Sequence, residues 1–177
     1  ERDARWMKLA IELAGYGLGL TSPIPCVGAV IVHKDQIIGS GFHEIAGLPH
    51  AERNAIADGI AKGNVGLVPD STLYVTLEPC STTGKTPPCT EAIIKHGFKR
   101  VVYGSEDPNP GHKGIAAEIL KNAGIKVTRG VLEKECDFLI RAFRLNMMEG
   151  RSWVIAKSAM SLDGHISRSP ERTQSQT

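Results

Sequence analysis

Apolar residues change their spacing several times along the chain, and each change marks an expected element. Trp6, Met7, Ala10, Ile11 and Ala14 recur at helical spacing before Gly15, Tyr16 and Gly17, where the glycines stop a helix. Residues 27–32 and 37–42 are instead β-rich runs on either side of Lys34, Asp35 and Gln36, a pattern that predicts a hairpin with a tight polar turn. Residues 51–61 read as a helix with Ile56 and Ile60 on one side, and residues 73–77 as a strand after the break at Pro69-Asp70. A helix over about 88–96, a strand at 101–103, a helix over 116–123 and a strand over 125–128 complete a β-α-β-α-β run. The alternation predicts the α/β class: a three-layer α/β/α sandwich with a mixed, mostly parallel central sheet.

One further helix is expected over roughly 133–148, leading to residues 153–157, which read as the first strand of another unit. The stretch 167–177 is polar and lacks apolar periodicity, so it cannot build a core and is expected to be mobile. The expected division is therefore 1–150 as the principal domain and 151–177 as the beginning of a second one.

Composition narrows the class without naming a function. In 177 residues, 41% are hydrophobic and 23% charged, the balance of an ordinary globular domain, and the length favours one substantial core. The 21 basic and 19 acidic residues leave a net charge of +2 and are scattered, so no nucleic-acid partner is expected. No apolar run approaches the roughly 18 residues of a membrane span, and the first residues do not resemble a secretory leader. The expectation is a cytoplasmic chain with no membrane partner. Four cysteines in such a chain read as ligands or core residues rather than as a disulfide framework.

The candidate chemistry lies at element ends. His50 and Glu52 stand at the start of an expected helix, Cys80 ends a strand, and Cys89 opens the next helix. One imidazole and two thiolates form a ligand set that leaves one tetrahedral position of Zn²⁺ open, as catalytic zinc requires. Zinc can lower the pKa of a bound water to about 7, and a helix N-terminus favours the anionic sulfur of a cysteine. Glu52, two residues beyond a ligand, is then placed to shuttle protons without being a ligand itself.

Zinc deaminases of nucleobases carry a His-x-Glu followed by Pro-Cys-x-x-Cys; here the cysteine pair is stretched, with eight residues between Cys80 and Cys89. Taken singly, each piece has a plainer reading: His50 as a helix cap, Glu52 as a solvated first-turn residue, and the cysteines as buried thiols. Jointly these require four coincidences in order. A closed structural metal site with Cys26 or Cys136 as fourth ligand is a further alternative, against which Glu52 counts, because a closed site has no use for a proton shuttle.

Six runs resemble the deaminase domain of the riboflavin-biosynthesis deaminase/reductase family, within the cytidine-deaminase superfamily. They are residues 21–23, 27–32, 47–52, 74–80, 84–89 and 107–110, and the eight-residue interval between the cysteines is that family's own. The resemblance implies a cytidine-deaminase-like fold and hydrolysis of the 2-amino group of a diaminopyrimidine that carries a ribosylamino 5′-phosphate. It implies zinc on His50, Cys80 and Cys89, with Glu52 as the proton donor. It puts His43, Lys85, Asp107 and Asn109 where the family contacts base, ribose or phosphate, and it implies a homo-oligomer.

Three positions depart from the family pattern. Ile24 stands where the family has an Asn between two prolines, and an apolar side chain cannot replace an amide. Thr82 replaces a His between the cysteines, and Ala116 replaces the second Gly of a Gly-x-Gly begun by Gly114, where a methyl group would crowd a phosphate approaching the backbone. Residues 157–164 resemble the opening of the family's NADPH-dependent reductase domain, with Ala159 as the cofactor-contacting position if that domain were complete. The sequence ends roughly 200 residues short of what such a domain needs for its own core, so reductase activity is not expected from these residues alone.

Overall fold

The computed structural model describes residues 1–83 and 87–165. Its sheet is built from the β-rich runs: five strands, β1 (Gly28–His33), β2 (Gln36–Phe42), β3 (Thr72–Leu77), β4 (Arg100–Ser105) and β5 (Lys126–Arg129), pair in the order β2-β1-β3-β4-β5. Successive side chains of a strand point to opposite faces. Ala29, Ile31, Leu73, Val75, Val101 and Tyr103 therefore enter one core, and Val30, Val32, Tyr74 and Val102 enter the other.

The first core is closed by α2 (Ala51–Ala61), α3 (Cys89–Lys95) and α4 (Ile115–Asn122), through residues such as Ala55, Ile56, Ile93 and Leu120. The second is closed by α1 (Arg2–Gly15) and α5 (Glu133–Leu139), through Trp6, Met7, Ala10 and Cys136. This is the expected three-layer sandwich. The sheet is mixed, as expected, but evenly so: β1 runs antiparallel to both β2 and β3, and only β3-β4 and β4-β5 are parallel. The reason is local. Lys34 and Asp35 both take positive φ, forming the two-residue turn that reverses the chain between β1 and β2. Parallel pairing starts only where a helix returns the chain to the same end of the sheet.

Other differences lie near the C-terminal side. The helix expected over 133–148 is two helices, α5 and α6 (Arg141–Glu149), broken at Ile140 (φ −99°, ψ 13°). Ile140 is 2% exposed, so its burial anchors the turn where no Gly or Pro announces one. Residues 153–157, expected as a strand, are exposed and carry no regular structure, and so does Ala159; the polar stretch 167–177 lies outside the described residues. Among the described residues, no helix is long and apolar enough to cross a membrane.

Close approach of backbone to backbone positions the functional elements. A Cβ on Gly39 would stand 2.4 Å from the Ala55 carbonyl oxygen, and one on Gly41 would stand 2.6 Å from the Ala55 nitrogen. Only glycine lets α2 lie flush on β2, which sets the depth at which His50 and Glu52 enter the fold.

Candidate active site

Two connections, β2–α2 and β3–α3, converge at one end of the sheet. His50 is the N-cap of α2, and its carbonyl accepts the Asn54 N–H at 3.0 Å, which fixes the first turn. Pro49, just before it, is held by two donors: His43 Nδ1 lies 3.1 Å and Asn54 Nδ2 3.3 Å from its carbonyl oxygen. Cys80 follows the end of β3, and Cys89 is the first residue of α3, whose approach is pinned by Arg53 donating to the carbonyls of Pro87 (2.9 Å) and Pro88 (3.1 Å).

These connections bring His50, Cys80 and Cys89 together, with ligand atoms all within 4.8 Å of one another. His50 Nδ1 lies 3.5 Å from Cys80 Sγ and 3.4 Å from Cys89 Sγ. The Cys89 backbone N–H donates to Cys80 Sγ at 3.2 Å, so a helix N-terminus faces the sulfur. The Cys89 thiol, His50 and that N–H together hold the Cys80 thiol down to about 4, while Cys89 moves upward because it shares its proton with Cys80 and is buried. Hydrogen bonding to Cys80 also raises His50. One nitrogen and two sulfurs at this spacing fit a tetrahedral zinc with an open position. The plainer readings of separate buried thiols and a capping imidazole do not account for this convergence. Cys26 and Cys136 are not in the cluster. Cys26 is buried and its thiol donates to the Leu139 carbonyl, and Cys136, pushed up to about 12 by burial, fills the core against Gly104.

Glu52 is not solvated. It is 3% exposed, and burial raises its pKa, with the Cys80 charge adding to the effect. It lines a cavity of about 420 Å³ together with His50, Cys80, His43 and Asp107. His43 is 2% exposed and stacks edge-on against His50, with ring centroids 5.4 Å apart. A carbonyl only accepts hydrogen bonds, so the Nδ1 facing Pro49 carries the proton. Burial lowers the His43 pKa and keeps the ring neutral, which leaves Nε2, without a partner among the described residues, as an acceptor.

The remaining expected contacts divide. Asp107 lines the cavity; Asn109 does not appear in its lining, and instead its N–H donates to Asp107 Oδ1 while its own Oδ1 accepts the Gly111 N–H. Lys85 lies outside the described residues. Ile24 does line the cavity, and Thr82 is exposed. At Ala116 the structure alters the expectation of a phosphate against the backbone: the N–H groups of Gly114 and Ala116 are already taken by the Glu78 carboxylate.

Sequence reading missed part of the wall. Phe143, Asn146 and Met147 of α6 line the same cavity, although they follow the nearest motif residue by more than thirty positions and no local signal ties them to it. Glu78 lines it too, and its place two residues before Cys80 was the available clue.

Comparisons with known proteins agree with this geometry. Residues 1–105 match the family described as the cytidine and deoxycytidylate deaminase zinc-binding region. The riboflavin biosynthesis protein RibD of Aquifex aeolicus is 46% identical over 166 residues, covering 94% of this chain and 45% of that protein. Two solved structures superpose closely. RibD of Acinetobacter baumannii does so with a TM-score of 0.84 at 47% identity, over 92% of this chain and 44% of that one. The diaminohydroxyphosphoribosylaminopyrimidine deaminase/5-amino-6-(5-phosphoribosylamino)uracil reductase of Thermotoga maritima does so with a TM-score of 0.86 at 44% identity, over 97% and 50%. The chain thus spans about half the length of these relatives.

Proposed function

The chain belongs to the zinc-binding family of cytidine and deoxycytidylate deaminases, and on that premise we propose that it hydrolyses the 2-amino group of 2,5-diamino-6-ribosylamino-4(3H)-pyrimidinone 5′-phosphate, a step of riboflavin biosynthesis. The observation that carries the reading is the buried Glu52 carboxyl sharing one cavity with the His50, Cys80 and Cys89 cluster. The names of the relatives, RibD above all, favour the phosphorylated diaminopyrimidine.

In this reading His50, Cys80 and Cys89 hold zinc, which when bound supplies the Lewis acidity that makes water a nucleophile near neutral pH. Glu52 takes a proton from the attacking water and returns it to the leaving nitrogen, so the C–N bond breaks, a C–O bond takes its place, and ammonia departs. A carboxyl with a pKa raised by burial suits both halves of that transfer. His43 Nε2 accepts from a substrate N–H or O–H, Asp107 faces the substrate from the cavity wall, and Lys85 contacts base, ribose or phosphate. We further propose residues 1–150 as the deaminase domain, working as a homo-oligomer. Residues 151–177, Ala159 among them, are the start of a second, NADPH-dependent unit.

The test is ammonia release by the zinc-loaded chain, with Glu52→Gln as the matched control. Turnover that falls about 10²- to 10⁴-fold in the control while zinc is retained is the expected result. A folded, zinc-replete wild type that releases no ammonia from this substrate sinks the assignment. Ile24 on the cavity wall supports one alternative, deamination of a different nucleobase or nucleoside. Turnover on free bases but not on the phosphorylated pyrimidine would favour it.

A further inference from the structure

Glu78 does something that the chemistry above does not require. It is 4% exposed, lines the cavity, and spends both carboxylate oxygens on the backbone of a distant loop. Its Oε2 accepts the N–H of Asp107 at 3.2 Å and of Gly114 at 3.0 Å, and its Oε1 accepts the N–H of Ala116 at 3.2 Å. Gly114, whose N–H is one of these donors, adopts φ +80°, a conformation natural to glycine. The N–H of Glu78 itself donates to the Ser105 carbonyl at 2.8 Å, so the side chain projects from a fixed point beside β4.

The two ends of the Asp107–Ala116 segment are therefore joined through one buried side chain. Between them the segment is stiffened by its own short bonds: Asp107 Oδ1 accepts the Asn109 N–H at 2.8 Å, and Asn109 Oδ1 accepts the Gly111 N–H at 3.0 Å. Asp107 is the member of this segment that reaches the cavity. The N-terminus of α4 is occupied by the protein's own carboxylate, so an anionic ligand has to find its donors elsewhere.

We infer that Glu78 is a positioning residue: by clamping the backbone at Asp107, Gly114 and Ala116 it holds Asp107 against the cavity and so sets substrate affinity, leaving the chemical step to Glu52. The inference rests on the deaminase reading for its kinetic consequence, and on the hydrogen bonds alone for the clamp. Glutamine at this position keeps one carbonyl oxygen but turns the other acceptor into a donor that faces backbone N–H groups, so the clamp must open on at least one side.

The experiment compares zinc-loaded wild type, Glu78→Gln and the shorter but still charged Glu78→Asp. It measures kcat, KM, zinc content, and hydrogen exchange at the amides of residues 107, 114 and 116. The expected result is a KM raised about tenfold in Glu78→Gln, with kcat within about threefold, full zinc, and faster exchange at those amides. Glu78→Asp should fall between the two, and it carries the test if the glutamine variant does not fold. A lower melting temperature with unchanged KM would show a merely structural role and overturn the inference. A fall in kcat with KM unchanged would overturn it as well, by placing Glu78 in the chemical step. If wild type does not turn over this substrate, the deaminase assignment fails separately. Exchange then decides the clamp: amides protected in wild type and released in Glu78→Gln support it, and amides that exchange equally in both overturn it.

Discussion

Replacing Asp3 by Asn tests what fastens the first helix to the sheet. Asp3 Oδ1 accepts the Tyr74 hydroxyl and Arg100 Nη1, each at 2.9 Å, and Oδ2 accepts Arg100 Nη2 at 2.7 Å. One carboxylate thus joins α1 to β3 and β4, and Arg100 extends the link to Thr128 of β5 at 2.8 Å. Asparagine keeps the shape but loses the charge and turns one acceptor into a donor facing a guanidinium. A hydrogen bond to a charged group contributes about 1.5–3 kcal/mol. The Arg100 and Asp3 side chains are 29% and 27% exposed, so solvent screens the pair in part. The expected loss is about 2 kcal/mol, or about 4–8 °C in melting temperature for a chain of this size.

The pH dependence carries the sharper test. The Arg100 guanidinium, opposed by burial and helped by the Tyr74 hydroxyl, holds the Asp3 carboxyl below the ordinary aspartate range. A depressed carboxyl contributes its stability in full above its unfolded pKa of about 3.9 and loses it as pH falls through the lower folded value. Urea unfolding of the metal-free wild type and Asp3→Asn should therefore differ by the full amount near neutrality, and the gap should close in acid. Removing the metal from both proteins keeps acid-driven zinc loss out of the comparison, and titrations common to both proteins cancel in the difference. A gap below about 0.5 kcal/mol at neutrality, or one that stays constant into acid, refutes the reasoning.

Three other outcomes follow from the packing and the site. Gly41→Ala puts a Cβ 2.6 Å from the Ala55 nitrogen, so α2 must move outward. The expected cost is about 1–3 kcal/mol in unfolding experiments with a parallel loss of ammonia release, and unchanged values for both would contradict the role given to this contact. Arg53→Gln removes the Nη2 that donates to both the Pro87 and Pro88 carbonyls and should weaken zinc binding about tenfold in chelator competition, with equal affinity as the contrary result. Chelating zinc should lower stability by about 4 kcal/mol relative to metal present at about 1,000 times its Kd. Cys80→Ser should abolish that difference, and a chelator effect that persists in the variant would place the metal elsewhere.

The sequence by itself determined the local parts of this protein. β-rich runs and helical spacing report the type of each element from neighbouring residues alone, and that is why the alternation of strands and helices, and with it the α/β layering, was legible. The candidate cluster and Glu52 were legible for a different reason: zinc chemistry restricts residue type and order, so His50, Glu52, Cys80 and Cys89 stand out as candidates before any contact is known. What only the tertiary structure decided depends on groups far apart in the chain. The even balance of the sheet turned on which strands pair, and the break at Ile140 on a burial that no Gly or Pro records. Asn109 turned its amide onto its own loop instead of the cavity wall, and Phe143 and Met147 reached that wall from a helix with no motif. Glu78 is the clearest case. A glutamate two residues before a candidate metal ligand reads as one more polar residue, and its hydrogen bonds are fixed only when folding delivers three backbone N–H groups from residues 107–116, because a hydrogen bond depends on position and direction that residue type does not encode.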